Sequence, residues 1–249
     1  MALLMDIRNR RVLITGASRG LGRTLALAFA AAGAREVFAG ARNAADIEKL
    51  KSDVAAISAP ITPIKLDVTS EDDMNATANL GFIDILVNNA GIAGYGDPLQ
   101  MNFETAVREM NVNYFGALRM ARALAPQMIE RGEGMIVSVA TAFAKVNLPL
   151  VGTYCASKAA LLSLGQALRA YLSEKGVHVM TVMPTTIDTD MSKGADVPKM
   201  TTAFVATEIL RHIREETIDP PIGAEAEGIL DGLLKDPLAM EKMIGQIRA

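Results

Sequence analysis

The sequence predicts an α/β fold, in which a parallel sheet carries helices on both faces. Six apolar runs of four to seven residues alternate with longer segments of helical period along the 249-residue chain. These runs are apolar almost throughout, which is typical of strands buried on both faces. Because crossovers between parallel strands are right-handed, the alternation predicts a doubly wound, Rossmann-like sheet. No linker rich in Pro, Gly or Ser interrupts the chain, so residues 1–249 are predicted to form a single domain.

The strands and helices are predicted from the length and period of each apolar segment. Strands are predicted over residues 12–15, 36–41, 61–67, 83–87, 134–140 and 177–183. Helices are predicted over residues 21–32, 44–57, 71–78, 102–131 and 154–175.

The pattern becomes less regular after the sixth strand. Residues 190–200 include Gly194 and Pro198 and are predicted to form a substrate loop, and residues 201–249 are predicted to form a C-terminal helical extension. Within the extension, helical period covers 201–214 and 225–247. A last short strand could lie in 217–223, although Pro220 and Pro221 weaken that prediction.

Composition excludes several classes of function. The 25 basic and 28 acidic residues give a net charge of −3, so nothing indicates nucleic-acid binding. The two His residues lie far apart and Cys155 is the one cysteine, so no metal site is predicted and a reducing compartment is expected. The most apolar stretch, 21–33, contains Arg23 and is too short to cross a bilayer, which takes about 20 apolar residues. A cytoplasmic protein without a secretory signal is therefore expected.

Three glycines stand between the first strand and the first helix. Gly16 permits a tight turn, Gly20 lets the backbone approach a pyrophosphate, and Gly22 lets the helix pack closely on the sheet. The helix begins near Leu21, where its free N–H groups and partial positive charge favour phosphate. The turn predicts dinucleotide binding, and the alternative is an ordinary glycine-containing loop.

The end of the second strand indicates which dinucleotide is bound. NAD-binding proteins place an acidic residue there for the ribose hydroxyl groups, but here Ala41 is followed by Arg42. A guanidinium group favours the 2′-phosphate of NADP(H), and Arg19 in the glycine turn could add a second contact. NADP(H) is predicted, and the alternative is that both arginines are solvated surface charges.

Tyr154 and Lys158 are spaced so that they share one face of a helix. A free Tyr has a pKa of roughly 10, and a neighbouring ammonium group is expected to lower it, which would suit general acid–base chemistry. On its own this spacing is weak, because a packed Tyr beside a surface Lys gives the same pattern.

The motifs taken together resemble the short-chain dehydrogenase/reductase family from about residue 10 to residue 191. They are TGxxxGxG over 15–22, the pair Asp67 and Val68, NNAG over 88–91, Asn113, and Tyr154 with Lys158. The resemblance implies that Tyr154 is the general acid, that Lys158 holds the nicotinamide ribose and tunes Tyr154, and that Asn113 holds a water in a proton relay. It also implies a homodimer or homotetramer and a small carbonyl or alcohol substrate.

The resemblance also implies a cofactor-binding set. Asp67 and Val68 would flank the adenine, and Ile187 and Thr189 would contact the nicotinamide carboxamide. The full implied set is Gly16, Ser18, Arg19, Gly20, Leu21, Arg42, Asp67, Val68, Asn88, Asn89, Ala90, Gly91, Tyr154, Lys158, Pro184, Thr185, Ile187 and Thr189.

Two positions depart from the family pattern. Thr141 stands 13 residues before Tyr154, where the family has a catalytic Ser, and Thr185 stands where it has Gly. Thr keeps a hydroxyl group but adds a methyl group that restricts χ1. An NADPH-dependent carbonyl reductase that also runs as an alcohol dehydrogenase is predicted. The alternative is an NADP(H)-binding regulatory or weakly active member, and a hydratase- or epimerase-like use of the fold is less favoured.

Two further residues receive structural interpretations. Cys155 is predicted to be a buried, inert thiol, since adjacent helix residues point about 100° apart and Cys155 does not share the face of Tyr154. His178 lies in the sixth predicted strand and is predicted to be packed.

Overall fold

The structure is a computed structural model that describes residues 5–55 and 58–247. Seven parallel strands form one sheet in the order β3-β2-β1-β4-β5-β6-β7. Their bounds are β1 Arg11–Ile14, β2 Glu36–Ala41, β3 Ile61–Lys65, β4 Ile85–Asn88, β5 Gly134–Val139, β6 Val177–Pro184 and β7 Pro221–Ile222. The six predicted strands and the doubly wound parallel topology are confirmed.

Helices cover both faces of the sheet. Their bounds are α1 Gly20–Ala31, α2 Ala44–Ala55, α3 Glu71–Ala76, α4 Phe103–Glu109, α5 Gly116–Arg131, α6 Gly152–Leu172, α7 Thr202–Glu215, α8 Ala224–Lys235 and α9 Pro237–Ile244. The last two residues of the helix predicted over 44–57 lie outside the described residues.

The core has two main layers, one on each face of the sheet. Leu25 and Phe29 of α1 pack with Ile209 of α7 on one face. Met120 and Leu124 of α5 pack on the other. All five side chains are fully buried. The sheet is therefore buried on both faces, which explains why its strands lack alternation.

The helix predicted over 102–131 is interrupted. Residues Met110–Phe115 form a π-helical segment between α4 and α5. Asn113 lies in this segment, and its side chain bonds the backbone of Ile92 in the loop after β4. π-Helical segments are frequent at functional sites. The helical period alone could not reveal this one, because it accompanies a tertiary contact.

The C-terminal extension also differs from the prediction. The helix predicted over 225–247 is two helices, because Pro237 lacks an N–H and starts a new helix that Asp236 caps through a 3.0 Å bond from the Ala239 N–H. The last strand does form, as β7, which pairs with the end of β6. Pro221, which lies within it, is tolerated because β7 is an edge strand.

The prediction for His178 is wrong. Its side chain is 48% exposed and Nε2 lies 3.8 Å from Glu216 Oε2. Successive strand residues face opposite sides, so Val177 and Val179 are buried while His178 faces out.

Neither a membrane-spanning helix nor a clustered metal site is present among the described residues. None of the helices in ranges 5–55 and 58–247 is long and apolar enough to span a membrane. The same ranges hold no group of three or more His, Cys, Asp or Glu side chains suited to a metal ion.

Candidate active site

A cavity of about 570 Å³ lies at the carboxyl ends of the strands. The order of strands reverses there, between β1 and β4, and ligands of doubly wound sheets bind at such a point. The cavity is lined by every residue of the sequence-predicted catalytic and cofactor sets except Asn88 and Asn113, which are buried behind it.

The glycine turn is built to bring backbone close to the cavity. Gly16 and Gly20 have φ of +66° and +52°, the left-handed region that favours glycine. A Cβ on Gly16 would lie 2.8 Å from the Ala90 Cα, and a Cβ on Gly22 would overlap the Gly16 carbonyl oxygen. Side chains at these positions would therefore push the turn away from β4 and from α1.

Hydrogen bonds fix the glycine turn to the segment after β4. The Thr15 hydroxyl oxygen accepts from the N–H groups of Asn89 and Ala90 at 3.0 and 2.9 Å. The Asn89 side chain donates to the carbonyl oxygens of Thr15 and Gly16 at 2.9 and 3.1 Å. Because no side chain caps the start of α1 and its first turn holds no acidic residue, its N–H groups are available to a phosphate.

The two predicted phosphate-binding arginines have different surroundings. Arg42 is exposed and, within the described part of the chain, forms no hydrogen bond or ion pair. Arg19 pairs with Asp190 at 3.0 Å, and both side chains are largely exposed. Asp46 also lines this end of the cavity and adds a negative charge. Arg42 is therefore the free cation at this end, whereas Arg19 would first have to leave Asp190.

Asp67 and Val68 follow β3 at the same end. Val68 is buried, and the Asp67 carboxylate accepts from the Thr69 N–H and hydroxyl groups at 2.9 and 2.7 Å. These bonds hold the carboxylate along the wall of the cavity. Val68 Cγ2 would lie 2.7 Å from a Cβ on Gly116, so α5 can approach this wall only with glycine there.

Tyr154 and Lys158 meet at the opposite end, on the first turns of α6. Lys158 is 4% exposed and its Nζ donates to the Val139 carbonyl oxygen at 2.7 Å. The same Nζ lies 5.8 Å from the centre of the Tyr154 ring. The two side chains thus line the same cavity, as their spacing predicts.

Thr141 lies two residues after the end of β5 and is 3% exposed. Its Oγ1 accepts from the Phe143 N–H at 3.3 Å, so the hydroxyl proton stays available to an acceptor in the cavity. Extending the pairing of Val139 with Val182 by two residues places Thr141 beside Pro184. Thr185 therefore follows one residue further along the neighbouring strand end, and its buried hydroxyl has no protein partner among the described residues.

The expected lowering of the Tyr154 pKa is not found. Burial raises the pKa of the Tyr154 phenol, and Cys155, Tyr95 and Glu109 add to the rise. Burial also lowers the pKa of the Lys158 amine to about 8. The reason is that desolvation disfavours the charged form of both groups. The phenol is therefore held in the neutral form, which is the form that can donate a proton.

Asn113 is a structural anchor behind the cavity. Its Oδ1 accepts from the Ile92 N–H at 2.9 Å, and its Nδ2 donates to the Ile92 carbonyl oxygen at 2.9 Å and to Ser157 Oγ at 2.8 Å. Ser157 Oγ in turn donates to the Tyr154 carbonyl oxygen at 2.7 Å. The side chain thus joins the π-helical segment to α6, and the implied role in holding a water stays a prediction.

Several cavity residues were missed by the sequence reasoning. The Tyr95 hydroxyl donates to the Met191 carbonyl oxygen at 3.0 Å and joins two loops at the cavity mouth. Phe143, Leu148 and Val151 line the wall beside Tyr154. Their apolar character is common to any core, so no signal in the sequence marked them. Ser157 is buried behind the cavity, and it could have been found because it lies between Tyr154 and Lys158 in the same motif.

Cys155 is buried, as predicted, and is 1% exposed. Burial raises the pKa of its thiol, so the reactive thiolate form is disfavoured. This fits the interpretation of an inert packing residue.

The region of the chain that matches a known family includes the whole region that carries the motifs. The profile of the short chain dehydrogenase family matches residues 10–199. The chain belongs to the short-chain dehydrogenase/reductase family. Members bind a nicotinamide cofactor, act on small-molecule substrates and commonly assemble into oligomers.

Two curated relatives are each about one third identical to this chain. Dehydrogenase/reductase SDR family member 7B from Bos taurus is 36% identical over 200 residues, covering 76% of this chain and 61% of the relative. D-erythrulose reductase from Gallus gallus is 36% identical over 191 residues, covering 76% of each chain. The chain thus spans about three fifths of the length of the first of these relatives.

A solved structure matches nearly the whole chain. A short-chain dehydrogenase from Burkholderia cenocepacia, in complex with NADP, has a TM-score of 0.89 and 34% identity, covering 96% of this chain and 99% of that one. The chain therefore shares the architecture of that enzyme beyond residues 10–199, the region that the family profile matches.

Proposed function

We propose that this oxidoreductase is an NADPH-dependent carbonyl reductase that also runs in reverse as an alcohol dehydrogenase. The observation that carries the proposal is the placement of Thr141, Tyr154 and Lys158 together at one end of a cavity whose other end holds the glycine turn and Arg42. A dinucleotide would bind across both ends, because the glycine turn would hold its phosphates and Tyr154 would then be available to the reacting carbonyl.

The residues of the cavity fit this cofactor. The backbone N–H groups at the start of α1 suit the pyrophosphate, and Arg42 suits a 2′-phosphate, because a guanidinium group forms charge-assisted paired bonds with it. The NADP found in the related Burkholderia cenocepacia enzyme supports the same choice. When bound, the cofactor supplies the hydride that reduces the carbonyl carbon.

The protein supplies the proton and the orientation. The neutral Tyr154 phenol donates its proton to the carbonyl oxygen, and Thr141 donates a second hydrogen bond that holds this oxygen in place. Lys158, held by the Val139 carbonyl oxygen, has a charged form that stabilises the phenolate left after donation. In the direction of alcohol oxidation the same groups run in reverse, and Tyr154 must first lose its proton.

Assembly and location remain part of this proposal. A homodimer or homotetramer is supported by large apolar side chains that α4 and the segments beside it expose, among them Phe103 at 77% and Phe115 at 43%. A cytoplasmic location is proposed from the single, buried cysteine.

The test is to mix the protein with NADPH and a panel of ketones and aldehydes and to follow the loss of reduced-cofactor absorbance. Tyr154→Phe should lower turnover about 10²–10⁴-fold, the usual contribution of a general acid. Tyr171→Phe is the matched control, since Tyr171 lies on the same helix but is 66% exposed. Turnover that survives in Tyr154→Phe would contradict the proposed mechanism.

The presence of Thr141 in place of the family's catalytic Ser favours a second candidate function. In this candidate the protein binds NADP(H), has little or no turnover and regulates a partner. This candidate predicts cofactor binding by calorimetry together with no reduction of any compound in the panel. A large gain of activity in Thr141→Ser would instead indicate an enzyme that the added methyl group slows.

A further inference from the structure

The cavity continues beyond Tyr154 into an apolar end. Phe143, Leu148, Val151 and Met191 line it, and Tyr95 contributes an aromatic ring at the mouth. The polar side-chain groups beside this apolar wall are the hydroxyl groups of Tyr95, Thr141, Tyr154 and Thr185, which are uncharged.

The apolar wall is backed by more apolar side chains. Phe143, Leu148 and Val151 belong to one cluster with Ile229 of α8 and Ile244 of α9. A charge placed against this wall has no second layer of polar groups to solvate it. The cost of burying such a charge unpaired is large, since protein interiors solvate ions poorly.

The cationic side chains that line the cavity either are bound to other protein groups or lie at the end with the glycine turn. Lys158 Nζ is held by the Val139 carbonyl oxygen, and Arg19 is paired with Asp190. Arg42 lies at the end of β2, with the glycine turn. No other lysine or arginine of the described ranges lines the cavity. Lys145 and Lys193, which are near the apolar end in sequence, are exposed and do not belong to the lining.

A buried carboxyl group also lies close to the apolar end of the cavity. Glu109, at the end of α4, is 0% exposed, and its Oε1 accepts from the Gly94 N–H at 2.6 Å. Its Oε2 has no hydrogen-bond partner in the described part of the chain. No cation of the described residues pairs with Glu109, so this buried group offers nothing that would attract an anion bound beside Tyr154.

We infer that the substrate is an uncharged ketone or aldehyde with an apolar body, and that carbonyl compounds bearing a carboxylate or phosphate are excluded. The inference rests on the proposed function, because that function places the reacting carbonyl beside Tyr154. It goes beyond that function by naming the substrate class that the same site selects.

The test compares para-acetylbenzoate with its methyl ester, two aryl ketones that differ in one charge. Both are titrated by calorimetry into the protein loaded with NADP⁺, and both are assayed with NADPH. The ester should bind at least tenfold more tightly, and its kcat/KM should be about 100-fold higher or more, because an unpaired buried carboxylate costs several kcal/mol. Equal affinity, tighter binding of the acid, or binding of neither compound would overturn the inference.

Failure of the proposed function would look different. If the ester binds more tightly than the acid but neither is reduced, the inference on charge stands and the reductase function is wrong. The binding measurement thus decides the substrate class, and the turnover measurement decides the activity.

A variant of the wall sharpens the test. Leu148 is only partly buried, so an arginine there can keep its head in water while lying over the cavity. Leu148→Arg should narrow the ester-to-acid ratio of kcat/KM by about tenfold, which corresponds to one favourable ion pair. Leu148→Met, which keeps the wall neutral, and Leu234→Arg, at an exposed position of α8 outside the cavity, should leave the ratio unchanged. An unchanged ratio in Leu148→Arg would count against the inference.

Discussion

At the scale of single residues, catalysis depends on how burial sets the protonation of two neighbouring side chains. Burial raises the pKa of Tyr154 and lowers the pKa of Lys158 to about 8. At neutral pH the phenol is protonated and can donate, while the lysine is still charged. Above its pKa the lysine loses the charge that stabilises the phenolate.

These two shifts predict the pH dependence of carbonyl reduction. The kcat/KM for the carbonyl substrate should fall as the pH rises through about 8, because Lys158 becomes neutral there. Lys158→Arg should remove this decline even if its rate is lower, since a guanidinium group stays charged. The measurement is the pH profile of kcat/KM for both proteins, and an identical decline in both would assign it to another group.

Thr141 is the second residue with a separable effect. Thr141→Val keeps the shape and removes the hydroxyl group, so turnover should fall about 10²-fold, as for loss of one donor to a developing oxyanion. Thr141→Ser keeps the donor and should retain turnover. Cofactor affinity, measured by calorimetry, should be unchanged in both variants, and a loss of affinity in Thr141→Val would indicate a structural role instead.

At the scale of elements, the turn between β1 and α1 couples the fold to cofactor binding. A Cβ on Gly22 would overlap the Gly16 carbonyl oxygen, whereas a Cβ on Gly228 in α8 meets nothing within 4 Å. Gly22→Ala should therefore lower both the free energy of unfolding and the affinity for NADP⁺. Gly228→Ala should leave affinity unchanged and raise stability by about 0.5–1 kcal/mol, since Ala is the better helix former. Equal behaviour of the two variants in denaturant titrations would contradict this account.

The loop after β6 holds one of the two arginines proposed to bind the cofactor. Asp190 holds Arg19 at 3.0 Å, so a 2′-phosphate can use Arg19 only after the pair breaks. Asp190→Asn should raise the affinity for NADP⁺ by up to about fivefold, since an exposed pair is worth about 0–1 kcal/mol. The affinity for NAD⁺, which lacks the phosphate, is the control and should not change.

Arg42→Asp should reverse or abolish the preference for NADP⁺, because the guanidinium group is proposed to bind the 2′-phosphate. The measurement is the affinity for both cofactors, and equal affinity of the parent protein for both would refute the choice of NADP(H).

Elements defined by local sequence were the most predictable. The strands follow from apolar runs, and the glycine turn follows from its spacing. The π-helical segment could not be predicted, because it goes with bonds from Asn113 to Ile92, 21 residues away. The break before α9 carried a signal in Pro237, which the helical period of the surrounding residues masked.

At the scale of the whole molecule, the sheet forms the end of the cavity proposed for the cofactor, and the C-terminal helices support the end proposed for the substrate. The sequence motifs predicted the first of these, since they mark strand ends. The substrate end depends on contacts between residues that are distant in sequence, which no local sequence pattern predicts. Examples are the hydrogen bond from Tyr95 to Met191 and the packing of α9 behind Phe143.

This division predicts that the two ends can be perturbed separately. Ile244 of α9 is 2% exposed and packs in the cluster behind the wall, so Ile244→Ala should cost about 2–5 kcal/mol and raise KM for the carbonyl substrate. The affinity for NADP⁺ should stay the same. Leu238→Ala, at a 69% exposed position of the same helix, is the control and should change neither quantity. A parallel loss of cofactor affinity in Ile244→Ala would show that the two ends are not independent.

The central claim is that Tyr154 protonates a carbonyl oxygen while its carbon accepts hydride from NADPH. The most direct measurement is a single turnover with NADPH deuterated at C4, in each of its two stereoisomers, followed by mass spectrometry of the alcohol. One stereoisomer should place deuterium on the carbinol carbon in the parent protein and in Tyr171→Phe, and transfer should be lost in Tyr154→Phe. Alcohol without deuterium from either stereoisomer, or undiminished transfer in Tyr154→Phe, would contradict the account.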